Sequence, residues 1–535
     1  MTGRTTAGVA ALGVIALVIG GAFAGLLVAG AGDWAQAVAS FDSYLARVVR
    51  FTLWQAVLST VLSVAPAVLV ARAMSRHPAL PGRGFILKMF AVPLGLPAIV
   101  VALGILALLG RSGYFADLLS AIGGSTWPGI YGLSGILVAH VFFNLPLATR
   151  LLLEALEATP TDQWRLASQL GMGPRPAFRL IEWPALRASL PGVAGLVFML
   201  CVTSFTLVLT LGGGPAATTL EVAIYQSLRF DFDPARAALL TLLQVVLTAV
   251  IVAILARLGA NMAGDAALPV TRRRFISIGT AERLLNAAVI AAAFVFVAGP
   301  MAAIVFAGLD ADLGRLVGEP AVQSAILTSI ALALSAAILS AALSLALVMA
   351  RRALETRRGR TGAVSLLERM LDTGAGFVLV VPPLVIGAGW FILLRGTGDV
   401  FAFAPIMVVV VNAIMAMPFV VRAIRPAHDA GSTRHDQLAA QLGMSGLARL
   451  RLVDWPVLRR PLLTGLAFAA ALSLGDLGVI ALFGSDAVQT LPYLLYQRMG
   501  AYRTADAAGL ALGLGLLCLA LMLVADRLGR IRDGR

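Results

Sequence analysis

Residues 165–184 read R-L-A-S-Q-L-G-M-G-P-R-P-A-F-R-L-I-E-W-P, from Arg165 to Pro184. The passage carries Arg165, Arg175, Arg179 and Glu182 between long runs with almost no charge. It returns at residues 437–456 as Q-L-A-A-Q-L-G-M-S-G-L-A-R-L-R-L-V-D-W-P. Adding 272 to a position in the first copy gives its partner: Gly171 and Gly443, Met172 and Met444, Arg179 and Arg451, Trp183-Pro184 and Trp455-Pro456. A loop that is polar only because it is wet has no need of Gly, Arg and Trp-Pro at fixed offsets twice. The repeated spacing marks a physical constraint.

Around these loops the chain is apolar. Of 535 residues, 59% are hydrophobic and 13% charged. Runs of about 20 apolar residues recur, the length that crosses a bilayer core. Twelve spans are predicted, at 8–30, 52–74, 86–109, 130–150, 192–212, 236–257, 285–308, 325–350, 374–394, 402–422, 464–484 and 507–526. The expected class is an all-α polytopic membrane protein. Cys201 and Cys518 lie in apolar runs, and His77, His140, His428 and His435 are scattered, so no metal site is expected. No paired intramembrane acids and no Gly-x-Ser-x-Gly are present, which argues against a membrane enzyme and leaves no catalytic residue to nominate.

The formal charge of +14 has a topological origin. With the N-terminus inside, 32 of the 41 basic residues flank the cytoplasmic ends of spans. Nine remain outside: Arg47, Arg50, Arg111, Arg229, Arg236, Arg315, Arg395, Arg498 and Arg503. The positive-inside rule then places both termini and both polar loops in the cytoplasm, and lipid rather than nucleic acid is the expected surrounding. Arg4 and Ala29-Gly30-Ala31 give the first span some features of a signal peptide, but its apolar run exceeds a typical signal core, so a retained anchor is expected.

The repeat extends beyond the loops. Thr219-Leu220-Glu221 and Ile224-Tyr225-Gln226 pair with Thr490-Leu491-Pro492 and Leu495-Tyr496-Gln497; Pro146 pairs with Pro418, and Pro97 with Pro383. An even number of spans separates the copies, so they run parallel about an axis along the membrane normal. The predicted divisions are an anchor at 1–47, a first repeat at 48–258 with its loop at 154–191, a basic linker and extra span at 259–320, a second repeat at 321–527 with its loop at 425–463, and a tail at 528–535. Within the first loop, Thr161 or Asp162 is expected to cap a helix over 163–170, and Gly171 to close it in a left-handed turn. A second short helix from about Ala177 brings Phe178 and Ile181 to one side, and Trp183-Pro184 ends the passage. The second copy is expected to repeat this with a helix over 434–442.

Ala167, Gly171, Phe178, Arg179 and Pro184, and again Ala439, Gly443, Leu450, Arg451 and Pro456, resemble the cytoplasmic "EAA" motif of ABC importer permeases. Where that motif has glutamate, this chain has Arg165 and Gln437. The resemblance implies the type I importer fold and a coupling helix that docks on an ATPase subunit. The phosphate loop that an ATPase needs, Gly-Lys-Ser/Thr, is missing: the only lysine is Lys88, followed by Met89. ATP and Mg are therefore expected on the partner chain, with no cofactor in this one.

Local phrases carry the resemblance further. They include Asp42-Ser43-Tyr44-Leu45, Ala139-His140-Val141-Phe142-Phe143-Asn144-Leu145-Pro146, Gly212-Gly213-Gly214-Pro215, Asp233-Pro234-Ala235-Arg236 and Ser473-Leu474-Gly475-Asp476. The whole is similar to the bacterial thiamine and thiamine-pyrophosphate ABC transporter permeases. That resemblance implies an inner-membrane complex with two copies of an ATPase subunit and a periplasmic thiamine-binding protein. Ferric-iron importer permeases share the loop and are the alternative. An ATP-independent secondary transporter is a further one, supported only by Asp526-Arg527-Leu528-Gly529-Arg530 at the wrong end of the chain. A path for a cationic, aromatic substrate would use polar and aromatic groups facing the bundle interior. The candidates are His140, Asn144, Ser204, Tyr225, Gln226, Asn412, Asp476, Tyr496 and Gln497, with Asp476 the sharpest.

Overall fold

The computed structural model describes residues 3–31, 43–122, 127–257, 279–358, 362–378, 381–396, 398–444, 446–485 and 488–530. The expected linker falls mostly outside them. Helices are α1 (Gly3–Ala31), α2 (Ser43–Arg76), α3 (Ala98–Leu109), α4 (Leu133–Glu157), α5 (Thr161–Gln169), α6 (Trp183–Val202), α7 (Leu220–Arg229), α8 (Pro234–Arg257) and α9 (Thr280–Leu309). They continue with α10 (Pro320–Arg358), α11 (Leu366–Phe377), α12 (Pro383–Arg395), α13 (Ala404–Gln441), α14 (Trp455–Leu474), α15 (Leu491–Gly500) and α16 (Thr504–Arg530), besides shorter turns. A helix satisfies its own backbone groups, which is what hydrocarbon demands of a spanning segment.

Among the described residues eleven helices are long and apolar enough to cross a membrane, against the twelve spans predicted. The difference lies at 374–394. There the chain breaks at Pro382-Pro383 and leaves α12 only 13 residues long. Pro382 stands at the N-cap of α12 in extended backbone and Pro383 at its first position, since the residue before a proline is pushed out of the helical region. Three further expected spans are also interrupted. The one at 86–109 runs as Arg83–Met89, a short turn over Val92–Gly95 and then Ala98–Leu109, and the membrane-long stretch there is Ala98–Ala121. The one at 192–212 ends at Val202 and restarts as Thr206–Leu211. The one at 464–484 ends at Leu474 and restarts as Gly478–Phe483.

The chain packs as two units. One comprises residues 1–41, 223–245 and 311–535; the other comprises 42–222 and 246–310. The packing units thus interleave along the chain. In the first unit α1 lies along α10 and α12. In the second, α9 lies along α3 and α2, over a core that includes Met74, Phe90, Ile105, Phe142 and Val197. The extra span ahead of each repeat therefore belongs to the unit built mainly from the other repeat.

The same local devices recur in both repeats. Leu220 N–H donates to Thr52 Oγ1 at 3.0 Å, and Leu491 N–H to Ser329 Oγ at 2.8 Å. Each bond satisfies a free amide at the start of a helix, α7 or α15. The turns that follow these helices hold Phe232 at φ 54° and Tyr502 at φ 59°, a region that non-glycine residues enter rarely.

Candidate functional site

The first polar loop begins where α4 ends at Glu157. Pro160 stands at the N-cap of α5, so the helix starts at Thr161 with no side-chain cap; neither Thr161 nor Asp162 plays the expected role. Gly171 adopts φ 63°, as expected of a left-handed closing residue. Met172 N–H then reaches Ala167 O at 2.9 Å and Gly171 N–H reaches Ser168 O at 3.1 Å, which satisfies carbonyls left open by the end of the helix. Trp164, Ala167, Ala177 and Ile181 form the inner side of the loop, with Met172 against them. Phe178 does not share that side. Its ring lies under the Arg72 guanidinium, 4.8 Å from the centroid.

Trp183-Pro184 does not end the passage, contrary to expectation. Pro174–Ala177 forms one turn, Phe178–Glu182 a π-turn, and α6 follows without interruption. Pro184 sits in the first turn of α6, where its missing N–H and fixed φ are tolerated, and the wider π-turn before it resets the helical register. The second copy has the same course: Gly446–Arg449, a π-turn over Leu450–Asp454, then α14. Gly443 also has φ 63°, and Met444 N–H reaches Ala439 O at 2.9 Å. One expectation changes. The helix over 434–442 is not separate but is the end of α13, a single helix of 38 residues. The first copy breaks at Pro160; the corresponding residue of the second is Ser432, so no proline interrupts the ladder at that point, although Pro418 and Pro426 lie further back in the same helix.

Ala167 and Ala439 are buried, as a close approach requires, while Arg165, Gly171, Arg179, Pro184, Gly443, Arg451 and Pro456 are exposed. The side chains of Gln437 and Leu450 lie outside those described. Sequence reasoning missed four apolar residues per copy that face outward: Leu166, Leu170, Leu180 and Trp183, and at the same offset Leu438, Leu442, Leu452 and Trp455. Their identity in both copies was the available signal.

It also missed the buried acids that precede Trp-Pro. Glu182, 1% exposed, accepts from Arg76 Nε at 2.9 Å, Arg76 Nη2 at 3.0 Å and Arg72 Nε at 3.1 Å. Arg76 also donates to Pro174 O at 3.1 Å and pairs with Glu282 of α9. Next to it, His77 is held below the usual imidazole range by burial and by Arg283 and Arg76. In the second copy Asp454 accepts from Arg4 Nη2 at 2.5 Å and lies 3.7 Å from Arg449 Nε. Arg449 pairs with Asp436, which in turn is 3.7 Å from Arg352.

The membrane candidates fall into separate groups. His140 Nδ1 is 2.9 Å from Ser59 Oγ, and Asn144 donates to Cys201 Sγ at 3.3 Å. Gln55 donates to Cys201 O at 2.9 Å beside them. Asn412 donates to Ser473 Oγ at 3.0 Å and also bonds Asp476. Asp476 accepts from Gly478 N at 3.1 Å and Val479 N at 3.4 Å, so its carboxylate covers free amides at the start of the short helix Gly478–Phe483. Tyr225 and Tyr496 bond each other, and Arg229 nearby donates to Gly484 O at 3.0 Å. Ser204 lies in the break after α6, and Gln226 and Gln497 are half-buried. Among the described residues no group of three His, Cys, Asp or Glu is arranged to hold a metal ion.

Residues 67–264 and 362–535 match the family described as "Binding-protein-dependent transport system inner membrane component". The chain belongs to that family. The matched segments contain both polar loops, and the permease is a multi-pass membrane transport subunit rather than an enzyme. It is 57% identical to the thiamine transport system permease protein ThiP of Brucella abortus (strain 2308), over 98% of this chain and 95% of the relative. It is 42% identical to the protein of the same name from Escherichia coli (strain K12), over 91% of this chain and 90% of that one. A putative ferric transport system permease protein, FbpB 1 of Haemophilus influenzae, is 30% identical over 34% of this chain and 29% of its own length. The helix α9 lies outside both family segments, while α1 precedes the first.

Proposed function

We propose that this permease carries thiamine or its pyrophosphate into the cell, driven by ATP that a separate subunit hydrolyses. The observation that carries the reading is 57% identity to a thiamine permease over 98% of the chain, where the ferric relative reaches only 34% of it. Two ATPase subunits bind, one per polar loop, and ATP and Mg sit on them. Each loop offers its subunit the same four exposed apolar side chains beside exposed arginines, and burial of such a patch is the usual driving force of docking. The arginine bias puts both termini and both loops on the cytoplasmic side. A periplasmic binding protein delivers the substrate to the opposite face. Asp476, Asn412 and the Tyr225–Tyr496 pair line the path or its gate.

The test is ATPase stimulation and uptake by the reconstituted complex, with binding protein loaded by thiamine or by ferric iron. Thiamine alone should stimulate. Stimulation by iron would transfer the reading to the ferric importers, and uptake without any ATPase would end it. Asp476→Asn should lower thiamine uptake with the complex still assembled; unchanged uptake would remove Asp476 from the path.

A further inference from the structure

We propose that α1 is a strut that positions the second coupling loop, with Arg4 as its positioning residue acting through Asp454. This rests on the reading of the polar loops as ATPase docks.

Three observations converge. The first is contact along the length of α1. Gly21 and Gly25 let it approach α12 so closely that a methyl group at Gly25 would lie 2.1 Å from Gly389 O, and one at Gly21 would lie 2.4 Å from the Trp390 ring. Trp390 Nε1 donates to Val18 O at 2.8 Å. Small residues four apart at a helix contact give this backbone approach in membranes. One turn from the N-terminal end, a methyl group at Gly8 would meet Ala350 of α10. The helix is therefore fixed lengthwise, and its end is held in place.

The second is what that end holds. Arg4 reaches the Asp454 carboxylate, whose side chain is 5% exposed, and the other cation near it is Arg449 at 3.7 Å. A carboxylate that deep needs a hydrogen-bonded cation to remain charged. In the first copy the corresponding Glu182 takes its cations from α2, the first span of its own repeat. In the second copy three arginines towards the same end of α10 are engaged elsewhere: Arg351 with Asp429, Arg352 with Glu355 and Asp436, and Arg358 with Glu368. Arg4 supplies what α10 does not.

The third is where Asp454 stands. It closes the π-turn that joins the docking loop to α14, and α14 runs to the break that holds Asp476. A displacement of the loop reaches the membrane through this turn. Clamping it from α1 makes loop and span move as one body.

The test uses the full complex, with ATPase and binding protein, in proteoliposomes. Arg4→Ala should leave ATPase copurification intact and lower thiamine transported per ATP hydrolysed about five- to tenfold, the low end of a typical coupling energy between sites. Arg4→Lys should keep most of the ratio. Arg4→Asp with Asp454→Arg should recover at least half of what either reversal loses alone. An unchanged ratio in Arg4→Ala, no recovery in the double reversal, or loss of the assembled complex in proportion to activity would each overturn the proposal. Leu438→Asp with Leu442→Asp tests the reading beneath it. If these leave ATPase copurification unchanged the docking assignment fails, whereas if they abolish it while Arg4→Ala has no effect the strut alone fails.

Discussion

Glu182 and Asp454 stand at the same place in the two loops, each one residue before Trp-Pro, yet they are held by opposite logic. Glu182 is clamped by two arginines of α2, and the extra helix α9 adds Glu282, a second anion that shares those arginines. Asp454 draws its closest cation from the extra helix α1 itself. The outer surfaces have not diverged in the same way: both glycines sit at φ 63°, and the four outward apolar positions coincide. On the proposed function the outward face answers to a partner, and identical partners on both loops would hold it fixed. The anchoring answers only to whatever lies beneath each loop, so any arrangement that keeps the carboxylate charged suffices.

The comparison breaks first, and hardest, at Glu182. Glu182→Gln leaves Arg72 and Arg76 with only the partly exposed Glu282 as their anion, and Arg76 is only 5% exposed. Losing the buried partner of such a cluster costs up to about 3–5 kcal/mol. Asp454→Asn should cost less, about 1–2 kcal/mol, because Arg4 is 28% and Arg449 20% exposed, and water screens what remains. Thermal unfolding of the purified complex in detergent should rank them in that order. Equal shifts would mean that the two clamps are equivalent after all.

The next effect should be symmetric. At φ 63° a side chain is strained whatever room it has, and nothing lies within 4 Å of a methyl group at either Gly171 or Gly443. Gly171→Val and Gly443→Val should therefore each cost about 1–2 kcal/mol. Each should uncouple ATP hydrolysis from uptake, measured as thiamine carried per ATP. Equal losses sharpen the view that the two surfaces are copies. If both variants transport normally, the loops do not couple.

Much of this was readable before any coordinates. Apolar runs and a repeat at constant offset are local facts, so the membrane class, the two loops and the turn at Gly171 could be read directly. Helix breaks were harder. A run such as 374–394 averages its hydropathy over Pro382-Pro383 and hides the break, whereas Trp183-Pro184 looks like a terminator but opens a helix, since a proline in the first turn costs nothing. The clamps were out of reach for a different reason. Arg4 and Asp454 are 450 positions apart, and no pattern in the chain ties a charge in the first turn of the protein to an acid in its last third. Only the packing of α1 against α10 and α12 brings them together.

The smallest expected effect concerns a place where the loops differ in backbone. Pro160 separates α4 from α5, while Ser432 lets α13 run through to Gln441. Yet both copies arrive at the same Gly-Met turn with matching hydrogen bonds, Met172 to Ala167 and Met444 to Ala439, each 2.9 Å. The break upstream therefore leaves the Gly-Met turn with the same closing bond that the unbroken helix reaches. Pro160→Ser removes a constraint on the unfolded chain and restores one backbone donor, changes that offset each other to within about 1 kcal/mol. Uptake and thiamine-stimulated ATPase should stay within twofold of the parent. A collapse of uptake with the complex intact would show that the break is itself a hinge, and that the two docks differ in motion as well as in anchoring.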